Sequence, residues 1–173
     1  YYADLAAKAP ELTAASGRDG ALNAYKSTDN SRVILALSAI GRDAAQVGGC
    51  DLTVPYADFS WVANQGINGP IFALLALDSR NYLPGSAVRR QCVDAILSAE
   101  CSGGGWAFGG SAADPDMTAM ALQALAPYYK DGGNETVNTA EEKALNWLSG
   151  KYRSGYDSSE SCAQVVIAPR HPD

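Results

Sequence analysis

Residues 101–129 read CSGGGWAFGGSAADPDMTAMALQALAPYY, and this stretch decides the fold. Its first three glycines, Gly103 to Gly105, end the preceding element and let the backbone turn tightly before Trp106. Asp114-Pro115 predicts a helix start, because aspartate accepts hydrogen bonds from free amides and proline suits the first helical position. From Met117 to Leu125 the helix is apolar on nearly every side, which is typical of a buried helix.

The same kind of buried helix recurs along the chain. Apolar helices are predicted to begin at spacings of 40, 48 and 44 residues, near Thr28, Asn68, Asp116 and Glu160. Amphipathic helices fall between them. A HEAT or armadillo solenoid has a similar period, but both of its helices are usually amphipathic. The contrast between the layers instead predicts an all-α fold, a barrel of helical hairpins in which about four apolar helices form an inner ring and the amphipathic helices an outer ring.

Several local signals predict where single helices begin, end and face. Pro10 predicts a kink or an end in the first helix. Residues 31–40 fit a strand or a helix, and their length, alanines and closing glycine favour the helix. Thr139 with Glu142 predicts a capping box that opens the last amphipathic helix. In that helix, residues 144, 148 and 152 are expected to face inward and the charged run 141–143 to face water.

Composition limits both the domain organisation and the partners. A chain of 173 residues with 47% hydrophobic and 18% charged residues predicts one globular domain over residues 1–173. The net charge of −6 argues against nucleic acid as a partner. No apolar run approaches the length of a membrane span. The apolar run that stops at Ala168 predicts a truncated C-terminal end, or an exposed edge that a second copy covers in a homo-oligomer.

The four cysteines, Cys50, Cys92, Cys101 and Cys162, do not form the close pairs of a zinc site. The single histidine, His171, lies in a proline-rich tail. We therefore expect no metal and no cofactor. Four buried free thiols and two disulfides both remain open, and sequence does not choose among the three possible pairings.

Two segments resemble the terpenoid cyclase and protein prenyltransferase superfamily. Residues 100–106 look like its QW repeat, with Glu100 in place of the usual glutamine, and residues 155–164 look like a weaker copy. Residues 114–119 look like the acidic motif of class II cyclases. The chain resembles prenyltransferase/squalene oxidase repeat domains in surface or secreted proteins of Gram-positive bacteria. This resemblance implies an α/α toroid of repeated helical hairpins, here an incomplete ring with about four inner helices, and an extracellular or cell-surface location.

The acidic motif has two interpretations. By resemblance to the cyclases, Asp116 would be the general acid that protonates an isoprenoid, with Asp114 as its neighbour. However, Met117 replaces the third aspartate of that motif, and no core histidine is available. Helix capping by Asp114 and a helix-dipole interaction of Asp116 explain both carboxylates without catalysis, and we favour this interpretation. A zinc-dependent prenyltransferase is excluded by the position of His171.

The preferred hypothesis is a non-catalytic module that binds an unknown small molecule or protein partner. Each repeat would deliver the start of its inner helix to one rim, where free amides suit polar or anionic groups. The residues expected at this rim are Gln65, Asn68, Trp106, Asp114, Asp116 and Glu160. The alternatives are a terpene cyclase-type enzyme and a transcobalamin-like vitamin-binding domain, whose carriers share the toroid.

Overall fold

The computed structural model describes residues 1–129 and 135–154, with side chains as far as Lys151. These residues form an all-α structure whose only extended feature is one bridge between Val47 and Cys50. Two compact units are distinguished, Tyr1–Cys92 and Val93–Asp173. The described α-helices are α1 (Tyr2–Ser16), α2 (Ser27–Ala39), α3 (Phe59–Ala63), α4 (Asn68–Asp78), α5 (Ala87–Ser98), α6 (Pro115–Leu125) and α7 (Glu135–Ser154).

The predicted apolar helices start where the sequence pattern places them. Helices α2, α4 and α6 begin at Ser27, Asn68 and Pro115, each within one residue of the predicted start. The ambiguous residues 31–40 lie almost wholly within α2, so the preference for a helix over a strand is confirmed. The fourth predicted start, at Glu160, lies outside the described residues. The all-α class is thus confirmed, whereas the closed arrangement of a toroid stays a prediction.

The core of the first unit lies between α2 and α4, which pack against each other. Ile34 on α2 and Ile71 and Leu74 on α4 are completely buried. Burial of each such side chain contributes about 1.5–3 kcal/mol to folding. One buried polar residue, Asn30, fixes the surrounding loops: its amide oxygen accepts from the Leu22 N–H, and its amide nitrogen donates to two backbone carbonyls. The two neighbouring apolar helices of this unit therefore form its centre.

Helix α1 continues past Pro10 to Ser16 instead of ending there. Proline has no N–H to donate to the carbonyl four residues earlier, which belongs to Ala6. That carbonyl is closely approached by Gly48, where an added Cβ would lie 1.9 Å from the Ala6 oxygen. Of the two predicted outcomes at Pro10, an end of the helix is wrong, and a kink stays a prediction.

Helix α7 begins at Glu135, four residues before the predicted capping box, so Thr139 lies inside the helix and the box is not its start. The prediction for Glu141 is also wrong, because this side chain is only 2% exposed. The buried positions of α7 are Val137, Ala140, Glu141, Ala144 and Leu148. Their spacing is that of a core-facing helical stripe. Ala144 and Leu148 face inward as predicted, and Tyr152 lies outside the described side chains.

Burial gives Glu141 a pH-dependent effect on stability. Loss of hydration raises the pKa of its carboxyl group from 4.5 to about 7. The folded chain therefore keeps this proton at pH values where the unfolded chain releases it. The contribution of Glu141 to the free energy of unfolding is therefore fully present below pH 4.5 and is lost as the pH rises to about 7. Glu141 thus weakens the folded state above neutral pH relative to an uncharged side chain.

We expect Glu141→Gln to raise the free energy of unfolding by about 1–2 kcal/mol at pH 8 relative to the parent protein, and to have less effect at pH 4. Urea unfolding at both pH values measures this difference. Glu142→Gln is the matched control, because Glu142 is exposed on the same helix turn. Parallel pH profiles for the parent and Glu141→Gln would contradict the assignment.

The three described cysteines are free thiols. Cys92 is completely buried, and loss of hydration raises its thiol pKa to about 12. Cys50 and Cys101 are only partly buried, and Cys162 lies outside the described residues. The expectation of buried thiols therefore holds for Cys92 but not for Cys50 or Cys101. No helix within the described ranges combines the length and apolar composition that a bilayer crossing requires.

Candidate functional site

Asp114 caps the N-terminus of α6 with its carboxylate. Its Oδ1 accepts a hydrogen bond from the Met117 N–H at 2.8 Å, which is the geometry of an N-cap residue. Its Oδ2 accepts from the Phe108 N–H at 2.9 Å and so also holds the preceding loop. Both oxygens of Asp114 therefore bind backbone amides, and the predicted capping role is confirmed.

Trp106 connects the glycine loop, residues 99–114, to α5 and α6. The side chain is completely buried, and its indole N–H donates to the Ile96 carbonyl at 2.7 Å. Its backbone N–H donates to the Thr118 hydroxyl on α6 at 3.0 Å. In this arrangement the indole has no surface that a ligand can contact. The geometry agrees with a packing role between helices rather than a binding platform.

Asp116 lies in the first turn of α6, where a negative charge interacts favourably with the helix dipole. The residue is partly buried. Its Oδ1 atom is shielded from water and has no hydrogen-bond partner among the described residues. Asp116 is therefore the member of the acidic pair with unused acceptor capacity, and the one that could take part in chemistry.

The Gln65 side chain caps the N-terminus of α2. Its Oε1 accepts from both the backbone N–H and the hydroxyl of Thr28, each at 3.1 Å. Asn68 is the first residue of α4 and is partly buried. These two residues belong to the first unit, Trp106, Asp114 and Asp116 belong to the second, and Glu160 lies outside the described residues. The common rim of inner-helix starts stays a prediction. Such a rim needs backbone amides that are free to bind a ligand, but side chains already accept hydrogen bonds from the first amides of α2 and α6.

Glu100 forms an ion pair with Lys143. Its Oε1 lies 3.7 Å from the Lys143 ammonium, while Lys143 remains largely exposed. The two side chains line a cavity of about 340 Å³ along the first turns of α7, with Glu135, Thr136, Thr139 and Ala140. Such a half-exposed pair contributes at most about 1 kcal/mol. The ion pair connects the residues that follow α5 to α7.

Sequence reasoning missed a second cavity, of about 260 Å³, which is lined by Cys101, Trp147 and Lys151 among others. The sequence pattern places both Trp61 and Trp147 in the core, but Trp147 is only partly buried, whereas Trp61 is buried as predicted. The spacing of Trp147 and Lys151, four residues apart on one helix, is a signal that could have identified their shared face. Among the described residues, no group of three histidine, cysteine, aspartate or glutamate side chains is arranged to hold a metal.

Comparisons with protein-family models, with curated proteins and with solved structures found no match to this chain. The likeness of residues 100–106 and 114–119 to the terpenoid cyclase superfamily therefore stays a prediction. What the structure adds is local: an acidic pair in which one carboxylate is a helix cap and the other retains an enclosed, unused oxygen.

Proposed function

We propose that this chain is a non-catalytic binding module of the α/α toroid type, from an exported bacterial protein, and that it takes a small molecule or a protein partner. The non-catalytic part of this proposal is supported by Asp114, whose two oxygens accept hydrogen bonds from the Met117 N–H of α6 and from the Phe108 N–H of the preceding loop. A carboxylate bound to two backbone amides has a structural role. The toroid, the export and the bacterial origin are supported by the sequence resemblance.

The alternative is a cyclase-type enzyme, and one observation favours it. An acid for carbocation chemistry needs a carboxyl group that the fold does not already use. The enclosed Oδ1 of Asp116 accepts no hydrogen bond from the described residues. However, Asp116 is not among the described lining residues of the two cavities above. A cyclase would need an apolar cavity that encloses its substrate and excludes water.

Incubation with squalene and with geranylgeranyl diphosphate tests the choice. We expect no cyclised product from the parent protein or from Asp116→Asn. Product formed by the parent protein and lost in Asp116→Asn would overturn the non-catalytic assignment and establish Asp116 as the acid. A cobalamin titration followed by absorbance tests the vitamin-carrier alternative, for which we expect no spectral change. Light scattering measures the predicted association of copies.

The structural roles of the two aspartates predict different losses of stability. Asp114→Ala removes a cap and is expected to lower the free energy of unfolding by about 1–2 kcal/mol. Asp116→Ala removes only a dipole interaction, which contributes about 0.3–1 kcal/mol. Chemical denaturation of the two variants compares them directly. A larger loss for Asp116→Ala than for Asp114→Ala would contradict the assignment of Asp114 as the cap and Asp116 as the dipole partner.

A further inference from the structure

A cavity of about 250 Å³ lies in the first unit, between the start of α1 and the later turns of α2. Its walls include Tyr2 and Leu5 of α1, Val33, Ala36 and Leu37 of α2, and Ile40 directly after α2. Every lining residue that the structure describes is aliphatic or aromatic. The predicted rim consists of inner-helix starts, whereas this cavity extends to the end of α2. A function assigned to it therefore goes beyond the one proposed above.

The cavity leaves apolar surface in contact with water. Ile40 is 63% exposed, and Ala36 is also exposed, whereas Leu37 is buried. A molecule that covers Ile40 and Ala36 gains the free energy of removing this surface from water. A dry cavity of about 150 Å³ already holds a benzene ring. A volume of about 250 Å³ thus accommodates an apolar body of about six to eight carbons.

The Arg42 guanidinium lies beside this cavity. Gly41 has a φ of +72°, and the Arg42 N–H donates to the Leu37 carbonyl at 2.8 Å, which closes the end of α2. The guanidinium carbon of Arg42 lies 4.7 Å from the ring centroid of Tyr2, a lining residue. The Tyr2 hydroxyl donates to the Gln46 carbonyl at 3.3 Å. Both members of the cation–π pair are therefore held by the surrounding backbone.

The hydrogen-bond donors of the Arg42 side chain remain free to bind an anion. A guanidinium that lies over an aromatic ring contacts it through its face, while its five N–H groups point outward in its own plane. No ion pair in the described part of the chain includes Arg42. The adjacent carboxylate, Asp43, accepts the Ala45 N–H at 3.0 Å. A positive charge thus stands next to an apolar cavity.

We propose that this cavity binds medium-chain carboxylates, with the hydrocarbon chain against Leu5, Val33 and Ile40 and the carboxylate group at Arg42. The apolar walls select a hydrocarbon body, and the guanidinium selects a negative charge at one end of it. A neutral hydrocarbon leaves Arg42 without an anion. An inorganic anion leaves the apolar walls in water. A molecule with both parts satisfies both features of the site.

Titration of the ¹⁵N-labelled chain with octanoate, followed by two-dimensional NMR, tests the location and the affinity. We expect saturable shifts of the amides at the start of α1 and the end of α2. Affinity should rise about fourfold for each added methylene from butyrate to octanoate. The uncharged matched probe 1-octanol should bind about fivefold more weakly than octanoate. Shifts of the same amides on protein dilution without octanoate would assign the cavity to a second copy and overturn the proposal.

Two pairs of variants separate the cavity from the charge. Ala36→Phe fills the cavity from an exposed position and should weaken octanoate binding about tenfold. Ala39→Phe is its control, because Ala39 is exposed on the same helix but is not a described lining residue. Arg42→Gln should bind octanoate no better than 1-octanol, whereas Arg90→Gln, an exposed position on α5, should match the parent protein.

Three results would each overturn the proposal. The first is equal affinity of the parent protein for octanoate and 1-octanol. The second is octanoate binding that is unchanged in Ala36→Phe or equally weakened in Ala39→Phe. The third is octanoate binding that is unchanged in Arg42→Gln. Arg42→Lys keeps the positive charge and is expected to retain most of the preference for octanoate, which distinguishes loss of the charge from loss of the cation–π contact with Tyr2.

Discussion

Trp106→Ala is expected to lower the free energy of unfolding by about 3–5 kcal/mol, a range typical of the removal of a large aromatic side chain from a core. The indole is completely buried, so its loss leaves a cavity beside α6. It also leaves the Ile96 carbonyl without the indole N–H that donates to it at 2.7 Å. Urea unfolding followed by far-ultraviolet circular dichroism measures the change.

Two control variants separate the packing of Trp106 from its hydrogen bond. Trp106→Phe keeps most of the ring but removes the N–H, and its added cost from the unpaired carbonyl should be about 1–3 kcal/mol. Phe108→Ala removes an aromatic ring from the same loop, but that ring is 74% exposed. Its effect should stay within about 0.5 kcal/mol. Similar losses for Trp106→Ala and Phe108→Ala would contradict the packing role.

The parts of the fold that were predictable from sequence depend on neighbouring residues. The start of α6 follows from Asp114-Pro115, and the cap forms between residues three apart. The presence of α2 and α4 follows from the apolar runs at residues 33–37 and 70–77. Such signals act within one or two helical turns and need no knowledge of distant contacts. They establish an all-α chain and the order of its elements.

The unpredicted features depend on contacts between distant residues. The amide of Gln65 caps α2 across 37 positions of sequence, so no local pattern reveals it. Glu141 belongs to a buried stripe whose helical spacing is present in the sequence. A helix start at Thr139 leaves out the first buried residue of that stripe, and the charges next to Glu141 favoured an exposed position. The cavity beside Cys101 requires the loop and α7 to meet. Closure of a ring likewise depends on such long-range contacts.

Gly69→Ala is expected to destabilise the first unit by about 3 kcal/mol or more, the upper end of the range for overpacked sites. Gly69 lies in the first turn of α4, where an added Cβ would be 1.7 Å from the Val62 carbonyl oxygen. The same carbonyl accepts a hydrogen bond from the Ser27 hydroxyl at 3.1 Å. Because α2, the end of α3 and the start of α4 converge there, a methyl group requires the backbone to move.

Gly150→Ala provides the matched control, because it makes the same chemical change in another helix. Nothing lies within 4 Å of a Cβ at Gly150, and the residue is exposed on α7. Alanine favours a helix over glycine by up to about 1 kcal/mol, so this variant should be slightly more stable than the parent protein. The opposite signs isolate the steric term from helix propensity, which improves in both variants. If Gly69→Ala were as stable as Gly150→Ala, the close approach of α3 and α4 would be wrong, and with it the packing that places α2 beside α4.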